Sequence, residues 1–493
     1  GLEPPEPALT SLTEEHSTTP CWNSAPLGMM RRAFATLLLA RLSFATEDAV
    51  ALLQSESRSW RVLGSDIGEV KHFWPGKNGD LNRSGSSPHV APSDLSTPTW
   101  TFTVPVPNLH SPVIDGEGYI YTATNSLGVI SLDRQGNERW RYSNITQPGN
   151  PVLLGNELFV CGGSGVAHAI NLATGKARWK SKFALNCPRD AWAASATGQT
   201  VIMMANVERN VTDGNCDLVA LNATDGSRIW RFPLCEDKRT TLGFNGMPSI
   251  VGNAVLFQDR QGGVHRLSLT SGAIEWSKGP YEYPATDSTG GLAVGPNGLI
   301  YSPSNYDGQP DDGKSIIRAL DMQTGRVRWQ RLFEQALNSA PAIGRLPNGR
   351  LAVITQVANN FLKSGPVMGL AMGTMKGYGG PAHSGTVLAL DAETGETIWS
   401  FDVDVFRSWM YPQMEKGCFP NAFANPAIGG DGTVYVNWSG GYAYAIRDAN
   451  GDGTISPQEV SKVATKSGMG GETAIAPGLA VVPSCDALRG YVA

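Results

Sequence analysis

A short phrase recurs six times along the 493 residues of this chain, and it constrains the fold more than any other feature. Each copy is an apolar strand that typically ends in Asp or Asn, then a Gly preceded by Thr, Ser or a similar residue, then three residues and a Trp. The most regular copy runs from Ala389-Leu390-Asp391 through Thr394-Gly395 to Trp399. The six copies end at Trp140, Trp179, Trp230, Trp276, Trp329 and Trp399.

The physical chemistry of the phrase predicts a β-hairpin. Asp or Asn closes the first strand and can accept hydrogen bonds from the amides that follow, while Gly adopts the positive φ that a tight turn requires. The Trp begins the next strand and offers a large apolar face for packing between neighbouring sheets. Another strand pair precedes most copies, as in Val113-Ile114 and Tyr119-Ile120-Tyr121, so each unit has about four strands.

Successive Trp residues are separated by 39, 51, 46, 53 and 70 positions. This spacing favours four-stranded propeller blades with variable connections over a solenoid, whose period is tighter. A seventh unit begins near Asn425, and the tail from Ala474 supplies three strands of an eighth. Trp100-Thr101-Phe102 resembles a final strand without a blade of its own, so its pairing with the tail would close the ring. We therefore predict an all-β, eight-bladed propeller over 100–493, with seven blades as the alternative.

Composition narrows the class of protein. The 57 Gly and 32 Pro are typical of a turn-rich protein, and the 13 Trp are too many for a disordered chain. A net charge of −5 gives no basic excess for a phosphate backbone, so nucleic acid is not expected as a partner. No apolar run reaches the roughly 20 residues that span a bilayer.

The amino-terminal residues suggest a secreted or lumenal protein. Residues 1–28 have no periodicity, whereas 29–46 combine Met29-Met30-Arg31-Arg32 with a short apolar core, which is typical of a signal peptide. An amphipathic helix is the alternative interpretation. Residues 47–99 form a lead-in to the propeller.

Cysteines and sequons fit the same compartment. Six cysteines follow the expected signal and permit 15 full pairings: Cys161, Cys187, Cys216, Cys235, Cys418 and Cys485. Their spacings contain no redox or zinc motif. Five N-x-S/T sequons are candidate glycosylation sites: Asn82, Asn144, Asn210, Asn222 and Asn437.

The repeat resembles that of the quinoprotein-like propellers, which reads Ala-Leu-Asp-x-x-Thr-Gly-x-x-x-Trp, and Trp74-Pro75 with Arg83-Ser84-Gly85 resembles their lead-in. The resemblance covers about 74–493 and implies the fold; it does not choose among dehydrogenases that use pyrroloquinoline quinone (PQQ), outer-membrane assembly lipoproteins and lumenal sensor domains. Such dehydrogenases usually hold PQQ with a disulfide between adjacent cysteines and a calcium ion. No two cysteines are adjacent in this chain, so PQQ is not expected.

One motif carries definite chemistry. Residues 448–459 match the calcium-loop pattern D-x-[DN]-x-[DN]-G-x5-E of EF-hands. The ligands expected by position are Asp448, Asn450, Asp452, Thr454 through its carbonyl, Ser456 through water, and Glu459. A strand enters the loop, and no second loop is present to pair with it. A structural calcium site is therefore expected rather than a regulatory one, with a solvated acidic turn as the remaining alternative.

Other residues give weaker signals. His72, His89, His110, His168, His265 and His383 are scattered, without metal-ligand spacing, and are expected at surface or satisfied interior positions. Two irregular stretches, 361–383 with several Met and 406–423, are candidate binding loops on one face. The sequence thus favours a non-catalytic scaffold, stabilised by calcium, that binds a protein or small ligand. The alternatives are a quinone-dependent or hydrolytic enzyme and a peripheral lumenal subunit of a membrane complex.

Overall fold

The computed structural model describes 71–105, 110–187, 194–208, 215–236, 243, 246–279, 281–283, 290–306, 313–358, 382–407, 422–465, 467–468 and 471–493, with the backbone alone at 382–383 and 406–407. All of these residues belong to the unit Ile67–Ala493; the other unit, Gly1–Asp66, lies outside them. The predicted upstream segment and signal peptide therefore also lie outside the described residues. No helix among the described residues is long and apolar enough to cross a membrane.

Eight antiparallel sheets of four strands each form the blades of the propeller, as predicted. Blades 1 to 4 consist of Val113–Ile114, Ile120–Thr124, Gly128–Leu132 and Glu138–Tyr142; Val152–Leu154, Glu157–Cys161, Val166–Asn171 and Ala177–Lys182; Ser195–Thr197, Thr200–Ala205, Asp217–Asn222 and Arg228–Pro233; and Ser249–Val251, Ala254–Gln258, Val264–Ser268 and Ile274–Lys278.

Blades 5 to 8 repeat the same order of strands. They consist of Ala293–Val294, Leu299–Tyr306, Lys314–Asp321 and Val327–Phe333; Ala342–Arg345, Leu351–Ala358, Gly385–Asp391 and Thr397–Asp402; Ala427–Ile428, Val434–Trp438, Tyr442–Ile446 and Val460–Ala464; and Ala474–Ala476, Leu479–Pro483, Ala487–Val492 and Trp100–Thr103.

The two ends of the propeller meet in blade 8, which confirms the predicted closure. Trp100–Thr103 is the outermost strand of this blade and pairs antiparallel with Ala487–Val492. Because the amino-terminal strand completes a carboxyl-terminal sheet, the ring closes without leaving either partner as an unpaired edge.

Four of the six repeated Trp residues hydrogen-bond to the following blade: Trp140, Trp179, Trp230 and Trp329. In the regular pairs the indole Nε1 donates to a backbone carbonyl in the last turn of the following blade, as from Trp140 to Leu172 at 2.9 Å and from Trp329 to Ala392 at 3.0 Å. The turn glycine lies against the same ring: a Cβ added to Gly395 would come within 2.7 Å of Trp329. Gly395 has φ 75°. The glycine is therefore needed both for the turn and for contact between blades.

The lead-in runs along the inner edge of the ring. Contacts between neighbouring first strands place these strands around the central axis. Backbone hydrogen bonds then connect the lead-in to successive blades, in chain order: Trp74 to Ile114, Pro75 to Leu153, Leu81 to Ile250, Asn82 to Val294, Ser84 to Ile343, Gly85 to Ile428 and Val90 to Gly478. Arg83 reaches blade 3, where its guanidinium donates to Ala194 and Ser195. The segment thus satisfies inner-edge groups that would otherwise lack partners.

Candidate functional site

The alternation of strand direction gives the propeller two distinct faces. We call the turn face the one formed by the connections between first and second strands and between third and fourth strands. We call the insertion face the one formed by the connections between second and third strands and between consecutive blades. Segment 359–384 joins the second and third strands of blade 6, and 403–426 joins blades 6 and 7. Both predicted binding loops therefore leave the propeller on the insertion face.

A short strand pair ties the two loops together. Ala382 lies opposite Arg407 and His383 opposite Phe406 in a separate two-stranded sheet. Most of 361–383 and 406–423 lies outside the described residues. Phe423, at the end of the second loop, is buried, and its ring centroid lies 4.5 Å from that of Trp438. The predicted association of the two stretches with one face is thus present at their ends.

Two disulfides stabilise the same face. Cys161, at the end of a strand of blade 2, pairs with Cys187 in the connection between blades 2 and 3, and Cys216, just before a strand of blade 3, pairs with Cys235 in the connection after that blade. Cys485 is also disulfide-bonded. Disulfides persist in oxidising compartments and are rare in the cytosol. Sequence spacing could not select these pairs among the 15 arrangements.

The acidic loop lies on the turn face, where it joins the third and fourth strands of blade 7. Ile446 pairs with Val460 at its base, and the amide of Arg447 donates to the carbonyl of Glu459. Asp448 is 2% exposed. Its Oδ2 accepts a hydrogen bond from the amide of Gly453 at 3.2 Å, whereas its Oδ1 is buried and has no partner among the described residues. A buried, unpartnered carboxylate oxygen is a donor atom suited to a cation.

The other predicted ligands make hydrogen bonds within the loop. Glu459 Oε2 accepts from the amide and hydroxyl of Ser456, which lowers the pKa of Glu459, and Oε1 accepts from the amide of Ala449. Asn450 donates to Asp452, which accepts from the amide of Thr454. Across the described residues, no three His, Cys, Asp or Glu side chains lie close enough together to hold a metal ion. Calcium binding would therefore have to draw Glu459 and Asp452 towards Asp448.

The sequons differ in accessibility. Asn144 is exposed, whereas Asn82 and Asn222 are half-buried. Asn437 is 1% exposed and donates through Nδ2 to the carbonyl of Gly471, so no glycan fits at that nitrogen in the folded chain. Asn210 lies outside the described residues.

The scattered histidines include one arrangement that the sequence did not suggest. His265 Nε2 lies 2.9 Å from Asp259 Oδ2, and His265 Nδ1 lies 2.9 Å from the hydroxyl of Ser277. His265 and Asp259 are each 3% exposed, and the imidazole stacks on Phe257. The contacts satisfy a buried side chain inside blade 4. These residues are adjacent only through the register of the strands, which no sequence motif encodes.

Arg83 is a second residue whose position was not predicted. Its guanidinium also donates to the carbonyls of Lys77 and Pro248, and burial lowers its pKa to about 10. The backbone amide of Asn78 donates a hydrogen bond to the Glu472 carboxylate, which also accepts one from the hydroxyl of Ser111. This polar network holds the lead-in against blade 8 through Glu472 and against blade 3 through Arg83.

The fold and repeats define this protein as a quinoprotein-type propeller, and its sequence matches one family of such propellers. The profile of the family described as outer membrane protein assembly factor BamB matches residues 94–207, 129–284, 197–357 and 281–467. The chain belongs to this family.

Individual curated relatives are distant. The tetrathionate hydrolase of Acidithiobacillus ferrooxidans is 23% identical over 58% of this chain and 56% of its own length. The assembly factor BamB of Nitrosomonas eutropha is 29% identical over 34% of this chain and 38% of its own. The quinone-dependent quinate/shikimate dehydrogenase of Acinetobacter baylyi is 24% identical over 59% and 37%. The chain thus spans between about a third and just over half of the length of these relatives.

Solved structures show the same architecture. BamB from Moraxella catarrhalis superposes with a TM-score of 0.54 at 17% identity, covering 80% of this chain and 99% of that one. A quinohemoprotein alcohol dehydrogenase from Pseudomonas putida gives 0.55 at 12% identity, covering 85% and 80%. These similarities establish the fold alone, because propellers of one architecture serve different functions.

Proposed function

We propose that this chain is a non-catalytic scaffold that binds a protein partner through its insertion face. The observation that carries the proposal is the joining of the two long connections of blade 6 by the strand pair of Ala382–His383 and Phe406–Arg407. Loops held at their ends by a rigid scaffold are common sites of recognition. The turn face, by contrast, consists largely of the tight turns that pack one blade on the next.

The family favours a role in assembly. BamB relatives are described as outer membrane protein assembly factors, so the partner proposed for this chain is a component of a membrane-protein assembly complex. The disulfides accord with a secreted or lumenal location in the secretory pathway, where exposed Asn144 is the preferred glycosylation site.

A calcium ion at 448–459 is the second part of the proposal. Asp448 would supply its unpartnered Oδ1, with Asn450, Asp452, the carbonyl of Thr454, Ser456 through water, and Glu459 completing the loop. A bound ion would compensate the buried charge of Asp448 and so stabilise blade 7. The loop and the insertion face lie on opposite sides of the ring, so the ion's role here is structural.

An enzymatic function is the alternative. It is favoured by the two relatives that are enzymes by name, the tetrathionate hydrolase and the quinone-dependent dehydrogenase. For PQQ, however, the cysteines that are paired within the described residues lie 26 and 19 positions apart, unlike the adjacent pair of quinone dehydrogenases. We therefore do not assign PQQ. Protein purified from native material would show quinone absorbance if the alternative were correct.

Affinity purification of the full chain from native material tests the scaffold proposal. The triple variant Met368→Ser, Met372→Ser and Met375→Ser alters the longer loop, while Gln323→Ser with Asn348→Ser alters exposed positions of the turn face. We expect a partner that co-purifies with the wild type and the turn-face variant, and that is depleted at least about tenfold with the loop variant. Equal recovery with all three proteins, at equal thermal stability, would contradict the proposal.

A further inference from the structure

The groove between blades 1 and 2 contains a cavity of about 240 Å³ on the turn face. It lies between two turns of blade 2 and the first turn of blade 1, with Arg139 on one side and His72 of the lead-in on another. It is therefore remote from the insertion face, and the proposed scaffold function does not require it.

This groove differs from the groove between blades 5 and 6. Tyr121 on blade 1 occupies the repeat position of Tyr301 on blade 5. The hydroxyl of Tyr301 donates to the carbonyl of Ala392 in the next blade at 3.0 Å, whereas the hydroxyl of Tyr121 lies 3.4 Å from the corresponding carbonyl of Leu172. The contact across the groove between blades 1 and 2 is thus longer than the equivalent contact between blades 5 and 6.

Arg139 is held rigidly at the open groove. Its guanidinium carbon lies 3.4 Å from the centre of the Tyr119 ring, and its Nη1 donates to the hydroxyls of Tyr121 and Ser131 at 3.2 and 3.0 Å. Tyr121 in turn donates to Asp115 at 2.8 Å. A side chain fixed in this way loses little conformational entropy when a ligand binds.

His72 supplies independent evidence for a ligand. Both of its ring nitrogens are buried, and the backbone of Gly155 lies close enough to act on the ring, but no group among the described residues makes a hydrogen bond of ordinary geometry to either nitrogen. Burial lowers the pKa of His72 and outweighs the opposite effects of the Asp115 carboxylate and the Gly155 backbone, which favours the neutral ring. A neutral imidazole offers one donor and one acceptor, and leaving both unused in a buried position is costly.

The charges of the cavity indicate the chemical class of the ligand. Tyr121 hydrogen-bonds to both the Arg139 cation and the Asp115 anion, so the two charges compensate each other and the cavity does not require a charged ligand. Exposed Glu117 also lines the cavity and disfavours an anion. Leu172 and Ala173 add apolar surface beside these polar groups. Alternating donors, acceptors and small apolar patches suit a ring that carries several hydroxyl groups.

We propose that this cavity binds a neutral polyhydroxylated ligand about the size of one sugar ring, with His72 and Arg139 as the recognition residues. The volume accommodates one such ring and excludes a longer chain unless the chain extends into solvent. A residue of a larger carbohydrate could thus dock through its terminal unit.

Titration calorimetry and ligand-detected NMR on the full chain test this site. The neutral probes are methyl β-D-glucopyranoside and myo-inositol, and the charged comparisons are glucuronate and glucosamine. We expect at least one neutral probe to bind, and Arg139→Met or His72→Phe to weaken it by about tenfold or more. Arg178→Met is the matched control, since Arg178 has the same repeat position in blade 2 but pairs with Glu157. This control should leave binding unchanged.

A measurement on the wild type avoids any dependence on variant folding. In protein labelled with ¹⁵N-histidine, the ring signals of His72 should shift with the neutral probe and saturate at the calorimetric dissociation constant. Absence of binding by both neutral probes would overturn the proposal. So would tighter binding of a charged probe, or an equal loss of affinity in Arg178→Met.

Discussion

Trp100 lies directly opposite Gly490 in the sheet that closes the ring, and its indole covers the glycine so closely that an added Cβ would approach within 1.9 Å of the ring. The Trp100 Nε1 also donates to the carbonyl of Arg134 in blade 1 at 2.9 Å. A single side chain therefore connects the carboxyl-terminal strand of blade 8, the amino-terminal strand and the first full blade.

The first prediction concerns this closure. Gly490→Val should destabilise the propeller by about 3 kcal/mol, because the new side chain has to displace the Trp100 ring. Thr101→Val is the control, since Thr101 is exposed on the same strand pair. Deleting 485–493 should lower the melting temperature further. Equal midpoints of denaturation for Gly490→Val and the wild type would show that the closure contributes little to stability.

The second prediction separates the two requirements for a turn glycine. Gly395 and Gly349 have similar φ values of 75° and 81°, but a Cβ would meet Trp329 at Gly395 and open space at Gly349. Both changes to Ala incur backbone strain of about 1 kcal/mol. Gly395→Ala should lose about 1–3 kcal/mol more through the contact with Trp329. Similar losses in urea denaturation would mean that φ alone sets the requirement.

The blade architecture was predictable because its determinants are local. The Asp391 side chain accepts from Thr394 within one turn, and a Trp recurs in the last strand of each of blades 1 to 6. Closure through Trp100 was also predictable, since an unpaired strand at one end matched a missing strand at the other. The cavity was not, because His72, Asp115 and Arg139 are separated along the chain and meet only after the ring has formed. The unpartnered oxygen of Asp448 likewise depends on burial, which the loop motif does not encode.

The third prediction tests the acidic loop. Glu459→Gln removes a charge from the proposed bidentate ligand, so calorimetry should show calcium affinity reduced by about tenfold or more. The melting temperature in millimolar calcium should fall accordingly, since the ion stabilises the native form by mass action. Glu396→Gln, at an exposed position in the equivalent hairpin of blade 6, should leave both values unchanged. A wild type without heat of binding and without any effect of chelator would identify 448–459 as a solvated acidic turn.

The fourth prediction concerns acid. Burial lowers the pKa of His168 to about 4, and the positive charge of Lys180 acts in the same direction, whereas an unfolded histidine titrates near 6.5. As the pH falls, His168 is therefore protonated first in the unfolded state. The free energy of unfolding, which is not reduced by this effect above about pH 6.5, falls by on the order of 2 kcal/mol as the pH approaches 4. His168→Gln should flatten the dependence of unfolding free energy on pH over this window. His89→Gln serves as the control for a half-exposed histidine, and an unchanged slope in His168→Gln would refute the assignment.

Binding of a protein partner to the insertion face can be detected by site-specific photo-crosslinking of the full chain in native extract. A benzophenone amino acid is placed at Leu185 or Ser384 on the insertion face, and at Gln323 or Asn348 on the turn face; all four positions are exposed. We expect one protein, identified by mass spectrometry, to crosslink from Leu185 and Ser384, and its crosslinking yield from Gln323 and Asn348 to be at least about tenfold lower. Crosslinking of that protein from the turn-face positions alone, or no specific crosslink from either face, would contradict binding at the insertion face.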